Sequence, residues 1–169
     1  MYYQEVFNIL NKFKVRYLVV GGLAVVLHGF VRFTSDLDIM VDFDKKNLLN
    51  FFAALKALGY KPKLPVKVSD FSDDGIRKNW IKNKNMKVFS FIHSKMDYKL
   101  IDVFAEEVIP FSRAYRRRQV VKAENTPINI ISFDDLITLK KLSARCQDLD
   151  DIKMLEELKE EYENKKRKK

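Results

Sequence analysis

Tyr17-Leu-Val-Val-Gly-Gly-Leu-Ala-Val-Val-Leu-His-Gly-Phe-Val-Arg-Phe-Thr-Ser-Asp-Leu-Asp-Ile-Met-Val41 reads as a strand, a glycine pair, a short helix, a loop, and a second strand carrying two carboxylates. The apolar, β-branched run Tyr17 to Val20 suits a buried strand, and Gly21-Gly22 ends it with backbone that can turn sharply and approach a ligand closely. The short helix Leu23 to Leu27 begins at the glycines, so free N–H groups and the positive end of its dipole face any phosphate bound there. Asp36 and Asp38 are two residues apart on the second strand, so their side chains share one face while Leu37, Ile39 and Val41 point to the other. Two carboxylates converging on one spot repel each other unless a cation sits between them, which points to a hard, oxygen-liganded metal such as Mg²⁺.

A third acid interrupts a later apolar run. Tyr98 to Phe104 reads as a strand, paired in sequence with a strand from Met86 to His93, and Asp102 lies between Ile101 and Val103. An acid there either faces solvent or has a partner that offsets its desolvation. The Asp36/Asp38 pair across the sheet, with metal between, supplies that partner, so Asp102 is expected as a third ligand. His28, just before Gly29, is expected to be a capping or packed histidine rather than a ligand.

The remaining segments supply a frame. Met1 to Phe13 spaces Val6, Ile9, Leu10 and Phe13 as an amphipathic helix. Asp44 is the N-cap of a helix from Lys45 to Leu58 with Leu48, Leu49, Phe52, Leu55 and Leu58 toward the core, and Gly59 ends it. Pro62 and Pro65 make Tyr60 to Val68 an edge strand or loop. Asp73-Asp74-Gly75 is a turn or helix start anchored by Ile76, Trp80 and Ile81, with Trp80 a core residue or, less simply, a base-stacking one. Pro110 to Arg118 is a loop or short helix whose Arg116-Arg117-Arg118 contacts phosphate or forms a solvated turn. A hairpin of Val120 to Ala123 and Ile128 to Ile131 follows. Ser132-Phe-Asp-Asp135 has capping-box spacing and opens a helix with Leu136, Ile137, Leu139 and Leu142 inward and Lys140, Lys141 and Arg145 on its other face. Asp148 starts a last helix with Leu149, Ile152, Leu155 and Leu158 spaced for packing.

Composition limits the function classes. The 169 residues suit one domain, with 47% hydrophobic and 12% aromatic residues excluding a disordered chain. No apolar run reaches the roughly 20 residues of a membrane span, and Met1-Tyr-Tyr-Gln-Glu5 does not resemble a secretion leader, so a soluble, cytoplasmic protein with no membrane partner is expected. The single cysteine, Cys146, excludes an intrachain disulfide and a multi-cysteine zinc site; it is expected to be structural and partly buried. Net charge is +9, with five positives in Lys165 to Lys169 and fifteen Lys or Arg against seven Asp or Glu between residues 61 and 122. A basic middle beside a carboxylate pair suits a polyanion reaching a metal, such as a nucleotide or nucleic acid, or is simply a solvated basic surface.

Gly21-Gly22, thirteen intervening residues, Asp36-Leu-Asp38-Ile, and the later Ile101-Asp102-Val103 resemble the nucleotidyltransferase superfamily that shares the DNA polymerase β palm fold. More narrowly, Gly-Gly-x-Ala-x-x-x-His-Gly, the Arg32-x-Thr34-x-Asp36 lead-in, Lys140, Arg145, Gln147-Asp148-Leu and Asp151-Ile are similar to small AbiEii-like nucleotidyltransferases, many of them toxins of toxin–antitoxin pairs. The resemblance covers residues 1 to 160 and implies an α/β (α+β) fold: a mixed β-sheet flanked by helices in a catalytic domain of residues 1–131, with a C-terminal helical pair in residues 132–169. It further implies transfer of a nucleoside monophosphate from an NTP, such as ATP, to a hydroxyl acceptor. Asp36, Asp38 and Asp102 would hold two Mg²⁺ ions. Gly21 and Gly22 would contact the β- and γ-phosphates through their backbone, with Ser35 and Arg32 adding phosphate contacts, though Arg32 equally suits an ion pair that orients the strand acids. Lys140 matches a position near the triphosphate and also reads as a surface lysine. Members with Gly-Ser have a hydroxyl where this chain has Gly22, which shifts phosphate binding toward backbone and Arg32. RNA, including a tRNA end, fits the basic middle as acceptor, and the toxin-like members imply an antitoxin-like partner protein. The rival readings are a catalytically silent binding module and a basic nucleic-acid-binding protein with structural carboxylates.

Overall fold

The computed structural model describes residues 3–65 and 67–168, and the side chain of Val68 lies outside that description. In chain order the elements are α1 (Gln4–Lys12), β1 (Tyr17–Val19), α2 (Gly21–Leu27), β2 (Leu37–Val41), α3 (Lys45–Ala57), β3 (Tyr60–Pro62), α4 (Val68–Phe71), α5 (Asp74–Lys84), β4 (Val88–His93), β5 (Leu100–Phe104), α6 (Phe111–Arg117), β6 (Gln119–Ala123), β7 (Thr126–Ile130), α7 (Phe133–Ser143) and α8 (Cys146–Arg167). The strands form one mixed sheet in the order β3-β4-β5-β2-β1-β7-β6. β2 runs parallel to β5 and antiparallel to β1, and β1 runs parallel to β7. This is the mixed α/β architecture expected from the sequence. The proline-bearing β3 takes an edge, where a missing N–H costs no ladder bond.

The central strands are buried on both faces at one end and on one face at the other. Tyr17, Leu18 and Val19 are all buried, as are Leu37 and Ile39 on β2 and Ile101 and Val103 on β5. Behind them α3, α4 and α5 bring an aromatic layer: Phe51 meets Phe91 edge-on at 5.9 Å, Phe71 lies 5.2 Å from Phe89, and Trp80 stacks on Phe89 at 5.4 Å. Trp80 is therefore core. Arg77 closes the layer with its guanidinium 4.1 Å from the Phe43 ring centre and its Nη1 donating to Phe71 O at 2.7 Å.

Local chemistry sets the helix ends. Asp44 accepts from Lys46 N and Asn47 N, Asp73 from Ile76 N, and Ser132 from Asp135 N, the three caps that the sequence announces. Other expectations need correction. Leu49, Leu142 and Leu149 are 62%, 65% and 68% exposed, because the buried stripe of α3 is Leu48, Phe51, Ala54 and Leu55 and the α7–α8 corner turns its leucines outward. The last helix starts at Cys146, with Asp148 as its third residue reaching back to accept from Arg145 N at 3.1 Å. Cys146 is exposed. Lys140, expected on an outer face, is buried.

No helix among the described residues is long and apolar enough to cross a membrane.

Candidate active site

The site grows from the pairing of β2 with β5. Their parallel register sets Asp38 directly opposite Asp102, so the two side chains stand on one face of the sheet, and alternation puts Leu37, Ile39, Ile101 and Val103 in the core beneath them. Asp36 enters from the loop just before β2, its Oδ1 accepting from Ser35 Oγ at 3.0 Å. The Tyr3 hydroxyl lies 2.7 Å from Ser35 O and 3.0 Å from Leu100 O, so a single proton ties the starts of both acid-bearing segments to α1.

The glycine pair fits against these acids. Gly21 has φ +62°, a left-handed conformation, and a Cβ there would lie 2.7 Å from Asp38 Cγ and 2.8 Å from Asp38 Cβ. A Cβ on Gly22 would lie 2.7 Å from Thr34 Oγ1 and 2.9 Å from Arg32 Nη2. Glycine is thus required at both positions by close approach, and the hydroxyl that Gly22 itself lacks is supplied at the same spot by Thr34.

Electrostatics follow from the crowding. Burial pushes the Asp38 carboxyl up to about 6, helped by repulsion from Asp102 and Asp36 and opposed by Arg145 and Lys140. Burial likewise raises Asp102, against a hydrogen bond with Ser90 and with Asp36 repulsion added, while Lys63 pulls it down. One oxygen of Asp102, Oδ1, is buried without a hydrogen-bond partner among the described residues. An orphaned buried carboxylate oxygen is costly unless something cationic or protic reaches it.

Opposite the acids, α7 and α8 build a basic wall. Lys140 Nζ lies 2.9 Å from Asp148 Oδ1 and 2.6 Å from Asp151 Oδ2, and Asp151 also pairs with Arg32 Nη1. Arg32 Nε donates to Phe33 O at 3.2 Å, which leaves Nη2 directed at the glycine turn. Asp148 additionally accepts from Ser143 Oγ at 2.7 Å; burial works against its charge, but the bonds from Ser143 and Lys140 hold its carboxyl below the usual range. Arg32 therefore pairs with a helix acid, not with the strand acids. Ser35 spends its proton on Asp36.

All eight residues singled out in the sequence, Gly21, Gly22, Arg32, Ser35, Asp36, Asp38, Asp102 and Lys140, line one open cavity of about 420 Å³. Thr34, Arg145 and Asp148 line it too. Asp148 and Asp151 carry part of the family resemblance in the sequence, but the partner of Asp151 at residue 32 is far away in the chain. His28 lies outside this cavity: its ring packs tilted against Phe133 with centroids 4.0 Å apart, it bonds Ile131 O at 2.9 Å, and burial lowers it to about 4.

Solved structures share the architecture. The lincosamide antibiotic adenylyltransferase LnuA, with lincomycin bound, superposes with a TM-score of 0.58 at 21% identity, covering 92% of this chain and 96% of that one. ANT(2")-Ia in complex with adenylyl-2"-tobramycin gives 0.55 at 12% identity over 95% and 94% of the two chains. An antigenic nucleotidyltransferase-like protein of Paracoccidioides brasiliensis gives 0.51 at 13% identity over 90% and 72%. No curated protein sequence matches significantly. Residues 3–162 match the model of a family described as nucleotidyltransferases of unknown function (DUF6036). With nearly its whole length inside that match, the chain belongs to this nucleotidyltransferase family and is an enzyme of the nucleotidyl-transferring type.

Proposed function

We propose that the protein uses Mg²⁺ to transfer a nucleoside monophosphate from an NTP to a hydroxyl acceptor, with Asp36, Asp38 and Asp102 carrying the chemistry. The observation that carries this reading is the lateral pairing of Asp38 with Asp102, beside Asp36 and the glycine turn, in one cavity. The donor set suits the ion: three carboxylates offer hard oxygens, Asp102 Oδ1 has no partner among the described residues, and Asp38 is raised by burial and by repulsion from Asp102 and Asp36. Among the described residues no group of three or more His, Cys, Asp or Glu side chains is placed to hold a metal ion by itself. Mg²⁺ is commonly held by one or two carboxylates together with substrate phosphates, and here the phosphates would have to complete its shell. Bound there, with a second ion as the family resemblance implies, it would neutralise phosphate charge and acidify the acceptor hydroxyl.

The chain's own groups do the rest. Thr34 Oγ1, Arg32 Nη2 and the backbone N–H groups of the glycine turn bind and orient the triphosphate, and Lys140 and Arg145 bias the cavity toward anions. The acceptor oxygen attacks the α-phosphorus; a new O–P bond forms as the bond to the bridging oxygen breaks, and pyrophosphate leaves with that electron pair. The acceptor proton passes to Asp102, which stands directly opposite Asp38 on the same face of the sheet. ANT(2")-Ia, which shares the fold, is seen in complex with adenylyl-2"-tobramycin, and this supports the reading.

The test is to incubate the protein and Asp36→Ala with Mg²⁺, each α-labelled NTP and a cell lysate. Label moving to a larger species only with intact Asp36 is the expected result. Equal labelling by Asp36→Ala, or none by either, would overturn the assignment.

A further inference from the structure

The segment that carries Arg32 and Thr34 has a second face. From Val31 to Asp36 burial alternates strictly: Arg32, Thr34 and Asp36 are half-buried, whereas Val31, Phe33 and Ser35 are exposed. This is the period of extended chain, although the segment belongs to no strand of the sheet. Its inward face meets the glycine turn and the acids. On its outward face Val31 and Phe33 are 92% and 86% exposed, the two most exposed large hydrophobics among the described residues. Phe33 nevertheless lines the cavity, so it stands at the mouth. One exposed apolar side chain is ordinary, but two that flank Arg32 at a cavity mouth call for a reason.

The position of Phe33 is held from three sides. Arg32 Nε donates to Phe33 O at 3.2 Å, Arg32 Nη1 pairs with Asp151 of α8, and Thr34 fills the space over Gly22. The ring hangs from a braced backbone with two side-chain torsions, so ordering it on a ligand costs little entropy. Holding it in solvent buries nothing and so does not serve folding. The other aromatic residue that lines the cavity, Phe104, is half-buried, packs against the core and is opposite Val88 on β4. Phe33 is therefore the ring whose faces are open.

A flat, apolar group attached to phosphates suits such a ring, and a nucleobase is that group. Three residues of extended chain, about 10 Å, separate Phe33 from Asp36. That span matches the reach of a ribose and base from an α-phosphate held at the acids. Across the mouth the helix wall presents Ser143, Arg145 and Gln147, all exposed and polar, which suit the edge of a base and not its face.

We propose that Phe33 is the platform on which the nucleobase of the NTP stacks. This rests on the metal–nucleotide site proposed above and adds a base subsite to it. Every base has a π-face, so the platform adds affinity without choosing among the four NTPs. The test is calorimetric titration, in Mg²⁺, of a non-hydrolysable NTP and of inorganic tripolyphosphate, which has the phosphates and no base, into wild type, Phe33→Ala and Phe33→Tyr. Phe33→Ala should weaken NTP binding about tenfold, within the range for removing one base stack, and leave tripolyphosphate binding unchanged. Phe33→Tyr should keep wild-type affinity for both. In Phe33→Trp the new indole should be quenched by NTP and not by tripolyphosphate, while Trp80, 5% exposed and stacked on Phe89, reports neither. Equal NTP affinity in wild type and Phe33→Ala would overturn the platform, and a fall in label transfer by that variant would then assign the ring to the acceptor. Loss of both ligands together in Phe33→Ala would make Phe33 a brace of the phosphate segment and overturn it likewise. A wild type that binds tripolyphosphate as tightly as NTP would remove the base subsite and leave the phosphate site standing. One that binds neither would sink the metal–nucleotide reading and the platform with it.

Discussion

On the sheet side of the cavity Asp36, Asp38 and Asp102 stand together with no ion pair to any of them among the described residues, and one oxygen of Asp102 has no partner; on the helix side Arg32 and Lys140 each hold a carboxylate of α8. Both walls are partly desolvated, yet one leaves its charge unneutralised and the other closes it internally. Repulsion on the acid wall is a standing cost that only an incoming cation relieves, so this wall gains by binding. The basic wall is already satisfied, and its role is to hold Arg32 and Lys140 at the cavity edge with donors to spare. Removing a charge should therefore have opposite effects on the two sides.

The largest effect is expected at Asp151, whose side chain is 2% exposed and serves both cations. Asp151→Ala leaves Arg32 without its carboxylate and Lys140 with Asp148 alone, and should destabilise the protein by about 3–5 kcal/mol, the usual penalty for breaking a buried pair. Thermal unfolding reads this directly, and a melting temperature unchanged from wild type would mean that the basic wall is not held by its ion pairs. Gly21→Ala comes next. The left-handed backbone adds about 1–2 kcal/mol for any L-residue, and the collision with Asp38 adds more and displaces the acid, so activity should fall further than stability.

The contrast also explains what the sequence made legible. Asp36, Asp38 and the glycine pair lie within one short stretch, so the acid wall could be read locally, although Asp36 proves to lie in the loop just before β2 and not on the strand. Asp102 was readable because an acid inside Ile-Asp-Val contradicts its surroundings. The basic wall is different in kind. Arg32 meets Asp151 across 119 residues of chain, and no periodicity in either segment announces the other. The same holds for Thr34 filling the space over Gly22, a relation between two elements that only their packing creates. Lys140 looked like an outer-face lysine because α7 was read without the acids of α8 that bury it. The leucines of the α7–α8 corner failed for a related reason: Leu142 and Leu149 keep helical spacing where the fold offers nothing for them to cover.

On the acid wall the expected sign reverses. Asp38→Asn removes an ionised, repelled group and should stabilise the ligand-free protein at neutral pH by about 1–3 kcal/mol, on the scale of 1.36 kcal/mol per pKa step. In the wild type, Asp38 rises from 3.8 to about 6 on folding, so the folded state binds more protons between those values. Its contribution to stability is present below 3.8 and is lost as pH rises through about 6. Asp38→Asn should abolish that part of the pH dependence, which chemical denaturation at pH 4 and pH 7 would show. A variant less stable than wild type at pH 7 would mean that Asp38 is already compensated.

The most direct measurement is calorimetric titration of Mg²⁺ with a non-hydrolysable NTP into the wild type and Asp38→Asn at several pH values. A proton on Asp38 competes with the cation, so wild-type affinity should hold above pH 6 and fall as pH drops through about 6 toward a limit of tenfold per unit, whereas Asp38→Asn should bind weakly at every pH. Wild-type affinity indifferent to pH across that range, or an Asp38→Asn variant that binds as tightly as wild type, would contradict a metal–nucleotide site built on the acid wall.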